Sequence, residues 1–399
     1  MIDTYHPPYV QLSLLKRHAT PRTKHYQQTG IFKTPGGDLL ALAAIDDNPS
    51  SLPGDVGGTD SIYFRSTDGG VTWDAGTTFT GYCISCFAVG SDVYAMTLTE
   101  DYGSVQIRKS TNDGATWGVA TTLIAGPGYY VVPPSPLVTG GRVYVPILYT
   151  AGYATNWVHG TQISLLHASD AADLMVSGNW TRSSGLAVSG GSVGSATVLG
   201  WWEPNLFLDV NGDAKILARV NADLILGVAA LIDVTLGASA SLSYNTSTGI
   251  RSLPGGHSFF KLLLDPVTDS YVILGQRNTL GSDDVYEYRQ RTVIQLVQSD
   301  DLVAFTEVAD IVREPQFDTY YKAVQAGWQY FDSIIDGDDI IGVIRVGEFG
   351  IALNNHQASA IYFFRIKDYY RNLLAPTPAN SGISPSSPFA AVTRNGVAV

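Results

Sequence analysis

Short runs of alternating apolar and polar residues fill this chain, separated by turns rich in Gly and Asp. A period near two predicts half-buried β-strands, and no segment sustains the longer period of a helix. The runs group into units of up to four strands. Unit one spans Tyr26 to Phe79, with strands at Gly30 to Thr34, Leu39 to Ile45 and Ser61 to Arg65. Unit two spans Cys83 to Leu123. Unit three holds Pro136 to Thr139, Val143 to Tyr149 and Gln162 to Ala168, and closes near Asn179-Trp180-Thr181. Unit four holds Glu203 to Val210, Lys215 to Val220, Ile225 to Val234 and a strand near Leu242. Unit five holds Ser258 to Leu264, Tyr271 to Gly275 and Thr292 to Gln298. Unit six holds Trp328 to Ile334, Ile340 to Arg345 and Ala360 to Ile366, and then runs out of strands.

Two of the turns are copies of one another. Ser66-Thr67-Asp68-Gly69-Gly70-Val71-Thr72-Trp73 and Ser110-Thr111-Asn112-Asp113-Gly114-Ala115-Thr116-Trp117 carry Ser, Gly and Trp at matching offsets, with the tryptophans 44 positions apart. That interval suits one four-stranded propeller blade. The pattern S-x-D-x-G-x-T-W resembles the Asp-box of sialidase-like propellers, and Ser299-Asp300-Asp301 with Phe305 is similar in a worn form. The resemblance spans Tyr26 to Arg371 and implies an all-β, six-bladed propeller. Seven blades is the alternative, because units three and four are long enough to hide extra strands. A ring that lacks one strand is closed best by a chain end, which also removes an open sheet edge. Tyr9 to Leu15 is the expected donor. Residues 1–374 are thus expected to form the propeller, and 375–399, rich in Pro and Ser, a tail or linker.

Composition narrows the setting. The 399 residues are 45% apolar and 15% charged, with 41 Gly and a formal net charge of −12. An acidic chain argues against nucleic acid or an anionic membrane surface as partner, and any anion site must gather its arginines locally. No apolar run is long enough to span a membrane. The N-terminal residues lack the pattern of a signal peptide, which suggests an extracellular protein whose leader is missing or one carried on a virion. Cys83 and Cys86 form a lone C-x-x-C without a second pair, and read as small buried strand residues rather than a metal or redox site. Asp209-Val210-Asn211-Gly212-Asp213 imitates a calcium loop but lacks its distal Glu, and reads as a turn between strands. No metal or cofactor is expected.

The resemblance also implies a set of site residues. Glu203-Pro204-Asn205, followed by Arg219 on the next strand, looks like the family's nucleophile-polarising Glu and a carboxylate-binding Arg. Arg291, ahead of an alternating strand and the worn box, is similar to a second such Arg, with Arg289 as its competitor. Tyr330, the Asp336-Gly337 turn and Ile341-Gly342-Val343-Ile344 keep the spacing of the family's nucleophile motif. There Phe331-Asp332 replaces two serines and Arg345-Val346 replaces a Y-E ending. Asp55, 11 residues before Ser66, resembles the acid/base, with Asp46, Asp47 and Asp60 nearby. One position departs from the pattern. Where the family carries its first carboxylate-binding Arg, this chain reads Tyr26-Gln27-Gln28-Thr29, so Gln27 stands in the substrate-binding place without a charge. Arg22 or Lys33 are the nearby cations that offer compensation.

This set implies a retaining exo-glycosidase on a terminal acidic sugar. A carboxylate at the anomeric carbon repels an anionic nucleophile, and a neutral Tyr paired with Glu answers that problem. Two other readings stay open. His257, in Pro254-Gly255-Gly256-His257-Ser258-Phe259-Phe260-Lys261, and His356, in Asn354-Asn355-His356-Gln357, lie in segments that resemble a broad sialidase-like group, itself similar to propeller lyases acting on uronate-containing polysaccharides. The third reading is a glycan-binding propeller without catalysis, on a phage tail or cell surface. In each case the partner is an acidic glycan or polysaccharide.

Overall fold

In a computed structural model, residues 5–46, 58–130, 136–150, 160–187, 192–193, 196–222, 227–277, 291–314, 326–352 and 354–375 are described. The alternating runs pair as six antiparallel sheets, five with their strands in chain order and one whose last place is taken by the N-terminal strand. Blade one is His25–Lys33, Leu39–Asp46, Asp60–Ser66 and Thr77–Thr80; blade two is Tyr82–Val89, Asp92–Leu98, Val105–Ser110 and Thr121–Ile124. Blade three centres on Arg142–Tyr149 and Gln162–Ser169, and blade four on Ala196–Leu208, Ala214–Ala222 and Val228–Thr235. Blade five is Lys261–Asp265, Ser270–Gln276, Val293–Ser299 and Thr306–Arg313. Blade six is Gly327–Asp336, Asp339–Gly347 and Ala360–Ile366, completed by Val10–Arg17 from the N-terminus. The protein is therefore a six-bladed all-β propeller closed by its N-terminal strand, with Val10 opposite Ile366 and Leu12 opposite Phe364. The extra length of unit four becomes a 13-residue inner strand and two short strands on the outer edge, not a seventh sheet.

The middle strands carry the core. Leu39, Leu40, Val93, Ile147, Leu165, Ile216 and Ile340 are completely buried, each contributing about 1.5–3 kcal/mol of apolar transfer. The Asp209-to-Asp213 segment is a turn joining two blade-four strands, with Asp209 Oδ1 accepting from the amides of Asn211 and Asp213 at 2.9 Å each. Cys86 is buried and its thiol is pushed up by burial.

The repeated turns fold alike. Ser66 Oγ donates to Asp68 Oδ1 at 2.8 Å and accepts from the Gly70 amide at 2.8 Å; Ser110 does the same with Asn112 and Gly114 at 2.9 Å each. Gly70 and Gly114 have φ of 87° and 77°, and a Cβ on either would come within 2.6 Å of Phe363 or Leu40 respectively. Each turn thus leans on the blade before it, and only glycine permits both the backbone and the approach. Ser299 accepts from Leu302 N at 2.9 Å in the worn copy.

One irregularity recurs on the inner strands. In blades one, two, four and six the strand gains one residue against its partner, between Tyr26 and Thr29, Tyr82 and Ser85, Trp202 and Asn205, and Gln329 and Asp332. Such a bulge twists the strand and re-aims the side chains within it. In three of these blades the polar residue that ends the bulge clasps the adjacent blade. Asn205 receives the Leu262 amide at 3.1 Å and donates to Phe260 O at 3.2 Å. Asp332 accepts the Ile31 amide at 3.0 Å and pairs with Lys261 at 2.7 Å, while Thr29 donates to the Tyr330 carbonyl. The inner strands are thereby locked to one another next to the residues that the bulges present.

Candidate active site

Two of the bulges present Glu203 and Tyr330, and both residues sit in the left-handed region, with φ of 48° and 49°. Such a conformation costs about 1–3 kcal/mol for a residue with a Cβ, so the surrounding lattice of hydrogen bonds must hold it. Tyr330 is fixed by the Thr29 hydroxyl on its carbonyl and by Phe259, whose ring stacks at 5.3 Å and 29°.

Three guanidiniums converge on this tyrosine. Arg219 Nη1 lies 3.1 Å from Glu203 Oε2, a pair almost fully removed from solvent. The Arg219 guanidinium also interacts electrostatically with the Tyr330 side chain, so it couples the two bulge residues. Arg291 places its Cζ 5.5 Å from the centre of the Tyr330 ring, and Arg345 places its Cζ at 4.2 Å. His356 stands edge-on to the same ring at 6.4 Å and 90°.

Charge states follow from these neighbours. Burial raises the Tyr330 phenol above its ordinary value and Glu203 reinforces this, against the opposing pull of the three arginines. Tyr330 is accordingly a neutral phenol at physiological pH. Burial opposes the charge of Arg219, but Glu203 and Tyr330 outweigh it and hold this guanidinium above its usual range. Burial, aided by Arg345 and Arg219, brings Arg291 down to about 10, still charged near neutrality. His257 is lowered to about 3 by burial and by the positive charges of Arg219 and Arg291. His356 is lowered for the same reasons, with Arg345 its strongest charged neighbour. Both histidines are neutral.

The structure brings together Tyr330, Glu203, Arg219 and Arg291. Gln27 is adjacent but occupied: its Oε1 accepts from Arg345 Nη1, and its Nε2 donates to Asp46 Oδ2 at 3.4 Å. Arg22 is exposed, and Lys33 pairs with Asp336 on the surface, so neither joins the cluster. The third guanidinium is Arg345, from blade six. Its signal in the sequence was the arginine that replaces the Y-E ending of the nucleophile strand. Asp55, Asp47 and Arg289 lie outside the described residues. Asp46 is buried against Gln27 and His25, whereas Asp60 pairs with Ile45 and Thr80 within blade one. Among the described residues no cluster of His, Cys, Asp or Glu is arranged to hold a metal ion, and no helix is long and apolar enough to cross a membrane.

No family model matches the chain, and no curated protein matches it. Solved structures do. A Trypanosoma rangeli sialidase superposes with a TM-score of 0.59 at 11% identity, over 90% of this chain and 60% of that one. This chain therefore spans about three fifths of that sialidase. A protein of unknown function from Dyadobacter fermentans gives 0.57 at 11% identity, over 90% and 99%. An α-L-arabinanase from Penicillium chrysogenum, solved with arabinobiose, gives 0.52 at 13% identity, over 92% and 97%. At these identities the likeness is one of fold. The chain shares the propeller architecture found in sialidases and in an arabinanase, and carries at its inner strands a buried Tyr–Glu–Arg cluster.

Proposed function

We propose that this protein is a glycoside hydrolase that releases a terminal sugar bearing a carboxylate next to its anomeric carbon, with retention of configuration. The observation that carries this reading is the convergence of three guanidiniums on a neutral tyrosine beside a buried carboxylate, in a chain of net charge −12. So concentrated a positive site in an acidic protein favours an anionic ligand. The solved sialidases and arabinanase of the same architecture are consistent with sugar chemistry on this scaffold.

In this reading Arg291 and Arg219 hold the substrate carboxylate, the handle best matched by guanidinium forks. Tyr330 Oη attacks the anomeric carbon as the glycosidic C–O bond breaks. Glu203 takes the phenol proton through its Oε1, a buried oxygen with no hydrogen-bond partner among the described residues. Asp55 protonates the leaving oxygen and afterwards takes a proton from the water that displaces Tyr330. Glu203 then returns its proton to the phenolate.

The neutral state of His257 and His356 favours a second reading. A neutral imidazole beside arginines that pair with a uronate is equipped to abstract the proton α to its carboxylate, as a lyase requires. Incubation with aryl sialosides and with uronate-containing polysaccharides separates the two. Aryl release, abolished by Tyr330→Phe, supports the hydrolase; new ultraviolet absorbance from an unsaturated uronate product supports the lyase. Binding on glycan arrays with neither activity overturns both.

A further inference from the structure

Arg345 differs from its two companions in how it is held. It has no exposed surface, while its Nη1 reaches the Tyr26 carbonyl at 3.2 Å and Gln27 Oε1, and its Nη2 reaches Gln329 Oε1 at 3.4 Å. Its Cζ is the nearest of the cluster's cations to the Tyr330 ring, 4.2 Å against 5.5 Å for Arg291. Arg219, by contrast, has a carboxylate at 3.1 Å. An arginine with no exposed surface whose guanidinium lies over the Tyr330 ring is placed to act on that side chain, not to grip a ligand.

The identity of its anchor sharpens this. Gln27 stands on the blade-one bulge and is itself fixed by Asp46 at 3.4 Å, which also faces His25 at 3.4 Å. A glutamate at position 27 would reach Arg345 equally well but would cancel its charge. The neutral amide orients the guanidinium and itself adds no opposing charge.

We propose that Arg345, seated on Gln27, is a positioning residue for Tyr330: it fixes the phenol by a cation–π contact and stabilises the phenolate that forms and leaves in each turnover. The proposal rests on the reading of Tyr330 as the reacting group. It also assigns Gln27 a role one step removed from the ligand: the chain has moved its third guanidinium from substrate to nucleophile. The other groups facing Tyr330 are Glu203 and Arg219 from blade four, Phe259 and Arg291 from blade five, and His356 from blade six. With both histidines neutral, the competing fields among the described residues are those of Glu203 and the two remaining arginines.

The test places 3,5-difluorotyrosine at position 330 of the full chain by stop-codon suppression and follows its ¹⁹F shift against pH. Fluorination brings the phenol into an accessible range. Arg345→Met is expected to raise the midpoint by about one pH unit, a tenfold loss of phenolate, and Arg345→Lys to restore most of it. Gln27→Glu, nearly isosteric and leaving Arg345 in place, is expected to raise the midpoint in the same direction, and decides the question if Arg345→Met does not fold. An unchanged midpoint in a folded Arg345→Met or Gln27→Glu protein overturns the proposal. On aryl substrate, both variants should lower kcat with little change in KM; a rise in KM alone would instead make Arg345 a ligand contact and overturn it. If the midpoint moves while Tyr330→Phe keeps full activity, the functional reading fails and the coupling between Arg345 and the ring stands.

Discussion

Arg219 and Arg345 hold the same place in two different blades. Each lies on the second strand, opposite the residue immediately before a bulge: Arg219 opposite Trp202, and Arg345 opposite Gln329. In blades one and two the corresponding partners are Ile45, opposite Tyr26, and Leu98, opposite Tyr82. A position that is apolar in half of the bulged blades is arginine in the other half. The bulges then turn Glu203 and Tyr330 into the same region, so one backbone device, used twice, brings together two cations and the two side chains proposed to react.

The Arg219–Glu203 pair is buried, and removing one partner strands the other charge. Arg219→Met is expected to destabilise the protein by about 3–5 kcal/mol, measured as a shift of the urea midpoint. Adding Glu203→Gln should recover part of that loss. A double variant no more stable than Arg219→Met alone would show that the two charges are not coupled.

Arg291 contributes to ligand grip in the proposed function. Arg291→Met should weaken binding of an anionic sugar by about 1.5–3 kcal/mol, roughly ten- to a hundredfold in KM, with a smaller change in kcat. Inhibition constants for a carboxylate-bearing sugar and its methyl ester check this. If the two variants of ligand lose affinity equally, the guanidinium does not read the carboxylate.

Stability should fall in acid. His257 is held near 3 in the folded protein, first by burial and then by Arg219 and Arg291, against 6.5 for an ordinary histidine. Below pH 6.5 the unfolded chain binds a proton that the folded chain refuses, so the folded state loses ground until the pH approaches 3. The slope is up to about 1.4 kcal/mol per pH unit for each such histidine. His356 is lowered as well and adds to it. Denaturant titrations between pH 7 and 5 measure the slope, and His257→Leu should reduce it.

The repeated turns are structural. Ser66→Ala removes an oxygen that accepts the Gly70 amide and donates to Asp68, and should cost about 1–2 kcal/mol. Gly70→Ala should cost more, because its φ is 87° and the new Cβ would meet Phe363 at 2.6 Å. Thermal unfolding of the two variants tests the order, and neither should change catalysis by more than its effect on folding.

Deletion of residues 1–17 removes the outer strand of blade six and leaves the edge of Ala360–Ile366 unpaired. An open apolar edge associates with other chains. Size-exclusion chromatography of the truncated protein should show oligomers or aggregate in place of the intact species.

The sequence by itself determined the architecture. Strand periodicity is local, and the Ser66 and Ser110 turns carry their own hydrogen bonds, so a reader of residues can count blades. It also showed that the last blade lacked a strand, because unit six runs out of strands after Ala360 to Ile366, which made Tyr9 to Leu15 the expected donor. The resemblance of its motifs to the sialidase-like pattern pointed to Tyr330, Glu203, Arg219 and Arg291 as candidates. Only the tertiary structure decided the rest. The bulges that give Glu203 and Tyr330 a positive φ depend on pairing between strands, which no single strand's pattern reveals. Gln27 looked like a missing charge because blades one and six are more than 300 residues apart in the chain, as Gln27 and Arg345 are. Ring closure makes those blades neighbours, and there the amide and the guanidinium meet beside Tyr330.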